Sequence, residues 1–567
     1  MRYFRLIILL LIFFILSSHN AAISGVADTR HNLSVSGPGE IKAATETEIC
    51  IFCHVPHNAN PIAPLWGRSL EYQSGIIYTP YFSETLEPSF LPGRPQGATS
   101  LCLSCHDGTV ALGKVLNRSK EIRMIDTSGK SIDPDQSISV SSPGYIGTDL
   151  SGSHPVSFAF TDGLALDNNS KGEFPLKIPS QIADREFHLD KRRLECTACH
   201  DPHKDDFREN AKAPFWRKNT WQDVCYICHD FQSLAVSIPD AAHKNSSTLP
   251  NLCGSCHKGH GLKRTPMLIQ NEENLCFLCH GDSRKRDAAV TNGLIASGIA
   301  LADIEKEFSK PYRHPIELKG VHKEKELLRK TGGNVQRHSE CVDCHPAHGA
   351  IALNQRSYSK EFKRKASTNS KFRYEYELCY ECHAESAAIL YPSTDKSAEF
   401  SSSNPSFHPV QEIGRGSDIP SLIPPYNTTS IISCTDCHSG DESSSTNPHG
   451  SVYPYILGKN YTLEDGIPES EFTYAICYKC HLRENILSDR SFAYHRKHIL
   501  DKQTSCYTCH DSHSSRDYPA LIRFNKDPRF TKVGPSSSGR LQYFRKGRFK
   551  GECYLACHGV DHNPKEY

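Results

Sequence analysis

Methionine and tryptophan are scarce in this chain, three of each in 567 residues, and hydrophobic residues make up only 38% at a mean hydropathy of −0.50. A chain of this length ordinarily builds several domains on apolar cores, and this composition does not supply them. An excess of either charge is also missing. Lys and Arg number 65 against 64 Asp and Glu, 65 − 64 = +1, which excludes a general polyanion binder. No long apolar run occurs after Leu16, so no later membrane span is expected. No cysteine precedes Cys50, so no early cysteine can carry a lipid anchor.

The first residues read as an export signal over 1–24. Arg2 and Arg5 are followed by the apolar run Leu6 to Leu16, then by the small residues Ala21, Ala22 and Ser24. Eleven apolar residues are short for a span, which needs about 20, and an uncleaved anchor is the alternative. The mature chain is expected near Gly25, exported and soluble, in the periplasm, at the outer-membrane surface or outside the cell.

What the chain has in quantity is cysteine, 24, and histidine, 30. Cys-x-x-Cys-His occurs eleven times, with its thiols at Cys50 and Cys53, Cys102 and Cys105, Cys196 and Cys199, Cys225 and Cys228, Cys253 and Cys256, Cys276 and Cys279, Cys341 and Cys344, Cys379 and Cys382, Cys434 and Cys437, Cys477 and Cys480, and Cys506 and Cys509. A twelfth pair, Cys553 and Cys557, has one extra residue between its thiols. The residue after each second cysteine is His54, His106, His200, His229, His257, His280, His345, His383, His438, His481, His510 and His558. Numbered in chain order these are motifs 1 to 12, and they use every cysteine.

Disulfides and zinc sites are the ordinary uses of exported cysteines, but neither needs a histidine directly after the second thiol. Covalent haem c explains each part of the pattern. Two thiols attach the macrocycle and the adjacent imidazole is the proximal iron ligand. The expected cofactor is twelve haem c groups, at least eleven if the irregular motif is not loaded. Twelve apolar plates would replace the missing core. Mature length per motif is (567 − 24)/12, about 45 residues, too few for ordinary domains between cofactors. The expected fold class is a multihaem cytochrome c, mostly irregular, with short α-helices, a core of stacked haems and little β. Short helices are expected around 182–195 and 300–309, and long loops at 131–170, 401–406 and 440–449. The expected regions are a two-haem region at 25–170, a four-haem region at 171–300, and two-haem repeats at 301–400, 401–490 and 491–567.

Odd-numbered motifs continue to a second histidine three residues on, as in His54 to His57, His200 to His203, His257 to His260, His345 to His348 and His510 to His513. Motif 9 instead meets His449 after a loop. Each odd motif also has a histidine upstream, at His31, His154, His243, His314, His408 and either His495 or His498, three of them within His-Pro-Val/Ile. Twelve such histidines match twelve sixth coordination positions. The distal set is therefore expected to be His31, His57, His154, His203, His243, His260, His314, His348, His408, His449, His498 and His513, with His188, His322, His338, His495 and His562 as spares that could displace any of them. A histidine three residues past the proximal one cannot reach the far face of its own ring, so it must serve another haem. Only Met124 and Met267 remain after export, so methionine ligation is excluded for at least ten haems and low potentials are expected.

The stretches His31-Asn-Leu-Ser, Glu48-Ile-Cys-Ile-Phe-Cys-His-Val-Pro-His-Asn58, Ala63-Pro-Leu-Trp66, Cys102-Leu-Ser-Cys-His-Asp-Gly-Thr109 and Ser153-His-Pro-Val-Ser157 resemble the outer-membrane and outer-surface multihaem cytochromes of metal-respiring bacteria. The close likeness covers about residues 30–160, and beyond it only the doubled motif is shared. The resemblance implies electron transfer between the cell envelope and an external acceptor, with His/His ligation throughout. Its members include porin-associated conduits and filament-forming cytochromes.

An electron carrier needs closed six-coordinate irons, whereas a nitrite, hydroxylamine or tetrathionate reductase needs one open haem, often marked by Cys-x-x-Cys-Lys. No such lysine motif occurs, which favours a non-enzymatic conduit over a reductase. The expected partners are redox proteins or extracellular electron acceptors, with a porin complex or self-assembly into filaments as the two assemblies and no nucleic acid. Ferric haems with two propionates each would add about −1 apiece, shifting the balance to about −11. Against that, residues 521–550 hold nine Lys and Arg and one acid, Asp527, suited to neutralising propionates or to docking an acidic partner.

Overall fold

In a computed structural model, the described residues are 25–567 apart from 58, 60–64, 70–74, 82–90, 171–174, 208–213, 231–242, 244–246, 264, 266, 317–338, 346, 348–373, 385–393 and 442–446. Most of them are loops and turns, joined by short helices and small antiparallel strand pairs. Among the described residues no helix is long and apolar enough to cross a membrane.

The two kinds of motif differ in backbone form. Motifs 2, 4, 6 and 8 lie at the C-terminal ends of helices Gly97–His106, Trp221–Cys228, Glu272–His280 and Glu375–His383. Odd motifs sit on one isolated turn, such as Cys50–Phe52, Cys196–Ala198, Leu252–Ser255, Cys341–Cys344 and Cys434–Asp436. Either way the turn closes through the backbone. The N–H of His54, His200, His229, His257, His345, His438, His481 and His510 each donates to the carbonyl of the first cysteine of its own motif, at 2.8–3.1 Å. One helical turn brings positions i, i+3 and i+4 to one side, so both thiols and the imidazole face the same way.

The chain divides into two compact units. The first comprises Met1–Val236, Lys244–Asn271 and Gly293–Ala296, and the second Ser237–His243, Glu272–Asn292 and Ser297–Tyr567. The first unit holds motifs 1–5 and the second motifs 6–12. Their apolar clusters are small. In the first unit, Ala43, Ile51, Phe52, Leu112, Val115, Ile122 and Met124 pack around motif 1, and Phe158, Phe160, Ala165 and Leu194 beside motif 3. In the second, Phe277, Phe308 and Ile316 cluster near motif 6, and Phe524, Tyr543, Leu555 and Cys557 under the C-terminal sheet.

Three expectations are corrected. Residues 182–195 form no helix: Lys191 and Arg192 take φ of 51° and 65°, turning the chain so that Arg193–Leu194 pairs antiparallel with Phe158–Ala159. The expected loop at 131–170 ends in a helix, Asp162–Ser170. β structure is also more developed than expected. Strands Val533–Gly534, Gln542–Gly547, Lys550–Cys557 and Val560–Glu566 form a four-stranded antiparallel sheet that contains the twelfth motif. Near 300–309 only Glu305–Phe308 is helical.

Candidate functional site

Within each unit the motifs follow one another in space in the order of the sequence. In the first unit burial raises the Cys53 thiol and Cys105 of motif 2 raises it further, while Cys102 is hydrogen-bonded to Cys196 of motif 3. Cys199 is raised by burial and by Cys228 of motif 4, and Cys225 is hydrogen-bonded to Cys253 of motif 5. In the second unit Cys276 of motif 6 is hydrogen-bonded to Cys341 of motif 7, and Cys344 lies near Cys382 of motif 8. Cys379 is hydrogen-bonded to Cys434 of motif 9, and Cys437 lies near Cys480 of motif 10. Cys477 neighbours Cys506 of motif 11, and Cys509 neighbours Cys553 and Cys557. First cysteine meets first cysteine at even-to-odd junctions, and second meets second at odd-to-even junctions.

Carboxylates fix several of these junctions. Glu272, at the start of the motif 6 helix, accepts the Val342 N–H of motif 7 at 2.8 Å, and Glu375 of the motif 8 helix accepts the Thr435 N–H of motif 9 at 2.9 Å. Glu195 is buried beside motif 3 and caps the motif 2 helix by accepting the Thr99 N–H at 3.3 Å. Arg68, 1% exposed, donates to the carbonyls of Leu112, Ser104 and Ala111 at 2.7, 3.2 and 2.9 Å, tying the loop after motif 1 to motif 2.

The histidines come together as facing pairs. Ring centroids lie 6.1 Å apart for His54 and His203, 6.1 Å for His31 and His106, 6.3 Å for His200 and His260, and 6.5 Å for His154 and His229. In the second unit the separations are 6.3 Å for His243 and His280, 6.0 Å for His345 and His449, 6.2 Å for His438 and His513, and 6.4 Å for His495 and His510. His481 is held low, at about 4, by burial and by the nearby His408. A metal-bound imidazole nitrogen lies about 2 Å from its ion with the ring centre about 1 Å behind it, so two imidazoles on one ion have centroids about 6 Å apart. The pairs fit an iron between them.

In most of these histidines the other ring nitrogen is occupied, as is usual for a metal-bound imidazole, whereas Nδ1 of His449 and of His495 has no hydrogen-bond partner among the described residues. Nδ1–H donates to a backbone carbonyl from His31 (Pro202, 3.1 Å), His106 (Gly144, 2.6 Å), His243 (Ala347, 3.2 Å), His314 (Pro448, 2.6 Å) and His438 (Tyr455, 2.8 Å). His260 and His481 use the hydroxyls of Ser153 and Ser421, and His513 uses the Glu399 carboxylate at 2.8 Å. Nε2 is left for the metal. Burial pushes His31, His260, His438 and His449 down to about 4, keeping the rings in the neutral, metal-binding form.

A histidine that follows an odd motif therefore faces the proximal histidine of the preceding odd motif: His203 reaches His54, His260 reaches His200, His449 reaches His345 and His513 reaches His438. The upstream histidine is bound to the same stretch of backbone. The N–H of His154 donates to Gly259, that of His314 to His449 and that of His408 to His513, at 3.0, 3.2 and 2.9 Å. Strand pairs Tyr312–Arg313 with Gly450–Ser451 and Ser406–Phe407 with Ser514–Ser515 extend two of these joints. One short β-joint thus carries candidate ligands for two consecutive sites.

Several sequence expectations meet a different arrangement. His57 is exposed and faces no proximal histidine among the described residues. His495, a spare by sequence, faces His510. His498 faces the other spare, His562, at 6.3 Å, while His558 donates from Nε2 to Asp465 at 3.0 Å. His322, His338 and His348 lie outside the described residues, and His188 faces none of the motif histidines. Met124 is buried in the motif 1 cluster, and Met267 lies on the loop against motif 5.

A recurring device escaped the sequence. After motifs 1, 3, 5, 9 and 11 the chain returns to the proximal histidine, bridging His54 with Trp66, His200 with Trp216, His257 with Leu268, His438 with Leu457 and His510 with Ile522. Each loop holds a non-glycine residue at positive φ just before the bridge: Leu65, Phe215, Met267, Ile456 and Leu521, at 55–62°. Strain repeated five times at one place points to a purpose. Carbonyls of these loops accept Nδ1–H of three proximal histidines, at Pro214, Tyr455 and Ala520, and so aim the ring. The sequence signal is a proline just ahead of the strained residue, as at Pro214, Pro454 and Pro519.

No disulfide joins any two of the 24 cysteines, and among the described residues no cluster of three or more His, Cys, Asp or Glu could hold a metal ion by itself. The doubled CXXCH motif family model matches residues 189–233 and 247–285, which contain motifs 3 to 6. No curated protein matches the chain. Its doubled motifs make it a multihaem c-type cytochrome that binds haem c.

Proposed function

We propose that this cytochrome carries twelve haems and conducts electrons along them, in the sequence order of its motifs within each unit, between the cell envelope and an external acceptor. The observation that carries the proposal is the unbroken succession of cysteine contacts through each unit, combined with the facing histidine pairs. A thiol adds across a haem vinyl group, its S–C bond replacing the C=C π bond and its hydrogen going to the neighbouring carbon. Neighbouring cysteines therefore imply neighbouring haem edges. Bound haem supplies reversible one-electron exchange. The chain's own contribution would be to hold each haem between two histidines, to aim most of the imidazoles through Nδ1 and to keep substrates off the irons.

Proximal ligation falls to the motif histidines 54 to 510. Distal ligation falls to His203, His31, His260, His154, His243, His449, His314, His513, His408 and His495. The chain acts as an exported protein in the periplasm, at the outer-membrane surface or outside the cell, with redox proteins or external acceptors as partners. For self-assembly into filaments the supporting observation is His57, an exposed imidazole in the position from which His203, His260 and His513 each serve a different motif.

The test uses the purified full chain in three measurements. Intact mass should give twelve covalent haems, paramagnetic resonance should show low-spin ferric iron alone, and a dried film should conduct between electrodes. Bound zinc with fewer than ten haems would sink the cytochrome assignment. A stoichiometric high-spin haem that binds carbon monoxide and turns over nitrite or hydroxylamine would make the protein a reductase.

A further inference from the structure

The twelfth motif is built unlike the other eleven. Its second cysteine ends the strand Lys550–Cys557, and His558 and Gly559 form the two-residue turn to Val560–Glu566, with φ of 48° and 74°. Positive φ at both centres is the tight hairpin form, and it removes the helical turn that elsewhere aims the histidine with its thiols. His558 instead donates from Nε2, the nitrogen that the Nδ1-anchored histidines leave for iron, to Asp465 Oδ2 at 3.0 Å. That carboxylate is 4% exposed and also accepts the Ser505 N–H and the Thr508 hydroxyl at the start of the motif 11 turn. His558 is thereby a strut between the hairpin and motif 11.

Another histidine is in position. On the neighbouring strand His562 pairs with Leu555, between the two cysteines, next to a register shift that separates Cys553 from Leu555. Its ring centre lies 6.3 Å from that of His498, within the 6.0–6.5 Å range of the other facing pairs. His498 donates from Nδ1 to the Tyr494 carbonyl at 2.7 Å, leaving Nε2 for a metal. His495, one turn earlier, faces His510, so one segment addresses motifs 11 and 12 together.

We infer that the twelfth site takes a haem attached through Cys553 and Cys557 whose iron is held by His562 and His498, while His558 is an anchor on Asp465 and not a ligand. This rests on the multihaem assignment above. Each thiol adds across one vinyl group, forming an S–C bond as the π bond is consumed and passing its hydrogen to the adjacent carbon, with no oxidant needed. The pattern Cys-x-x-x-Cys-His thereby ligates through the fifth residue after its second cysteine.

The test compares His562→Ala, His498→Ala and His558→Gln in the full chain, read by intact mass and by paramagnetic resonance. Both alanine variants should keep twelve haems and turn one from low spin to high spin, and added imidazole should restore the low-spin signal. His558→Gln, which keeps a donor for Asp465, should leave every iron low-spin. A high-spin iron in His558→Gln, or an unchanged spectrum in His562→Ala, would overturn the inference. Eleven haems in the unmodified chain would also overturn it while leaving the cytochrome intact, whereas no covalent haem would remove the assignment beneath it. Should His562→Ala fail to fold, His562→Met answers the same question, because a methionine ligand raises the potential of one haem and leaves the others unchanged.

Discussion

His203 lies with its ring within 17° of parallel to that of His54 and 6.1 Å from it between centres, although the two belong to the third and first motifs. His260, His449 and His513 likewise face the proximal histidine of the odd motif before their own. Two stretches of chain far apart in sequence would then be fastened through a single iron.

His203→Ala is accordingly expected to leave the covalent haem count unchanged and convert one iron to high spin, with one new carbon monoxide site. Mass spectrometry and paramagnetic resonance on the same sample check this. If every iron stays low-spin, the offset between odd motifs is wrong at this position.

Ala520 takes φ of 58° in the return loop after motif 11, and its carbonyl accepts Nδ1–H of His510 at 3.0 Å. Ala520→Gly should stabilise the folded chain by about 0.5–1 kcal/mol, or leave it unchanged as the looser unfolded chain offsets the gain. Ala520→Val should cost about 1–2 kcal/mol, because a β-branched residue tolerates this backbone least. Thermal unfolding of the loaded protein distinguishes the two. Equal losses from both would show that the loop is not strained there.

Arg68 is buried with its guanidinium on three carbonyls, and a methionine would fill similar space while removing the donor that all three share, with Ala111 alone keeping the Lys114 N–H. Arg68→Met is expected to destabilise the first unit by about 3–5 kcal/mol. The measurement is the denaturant midpoint at unchanged slope. A change below about 1 kcal/mol would mean that the ordinary surface value of a charge applies.

Burial raises the Glu272 carboxyl to about 7, with the charge of Glu340 adding to the effect. The folded state then holds a proton that the unfolded chain releases near its ordinary value of 4.5, so stability falls as pH rises from about 4.5 through 7 and is level above. With a partly exposed group the loss should not exceed about 1–2 kcal/mol. Glu272→Gln, which can still accept the Val342 N–H, should flatten this part of the profile. Stability that instead increases between pH 5 and 7 by the same amount in both proteins would exclude Glu272 as the source.

Much of the site was legible because attachment chemistry is local. Cysteines at i and i+3 with histidine at i+4 dictate one helical turn, and the turn forms at all eleven regular motifs. The alternation of odd and even motifs was also visible, and through motif 9 it corresponds to isolated turns and helix ends, while motif 10 lies on the single turn Ala475–Tyr478 and motif 12 on a hairpin. What could not be read depends on pairing between distant segments. Nothing near His203 names His54, and nothing near Cys557 says that a hairpin turns His558 toward Asp465 and brings His562 around instead. Residues 182–195 carry helix-forming residues, but Leu194 is worth more against Phe158 in the strand pair than in an isolated helix of that length. The positive-φ return loops carry no glycine to announce them, only a proline placed ahead of each.

The β-joints that bind His314 to His449 and His408 to His513 also say how such a protein can change length. Under the proposed ligation, a two-motif repeat lends one histidine backwards and borrows one from the repeat ahead, like links in a chain rather than beads on a string. Because the four loans seen among the described residues span the same offset, excising one whole repeat within a compact unit would rejoin its neighbours in register, and the borrowed histidine would be replaced by its equivalent. Excising half a repeat would strand a ligand and orphan an iron. Growth and loss in steps of two haems follow from that joint, and steps of one are penalised by it.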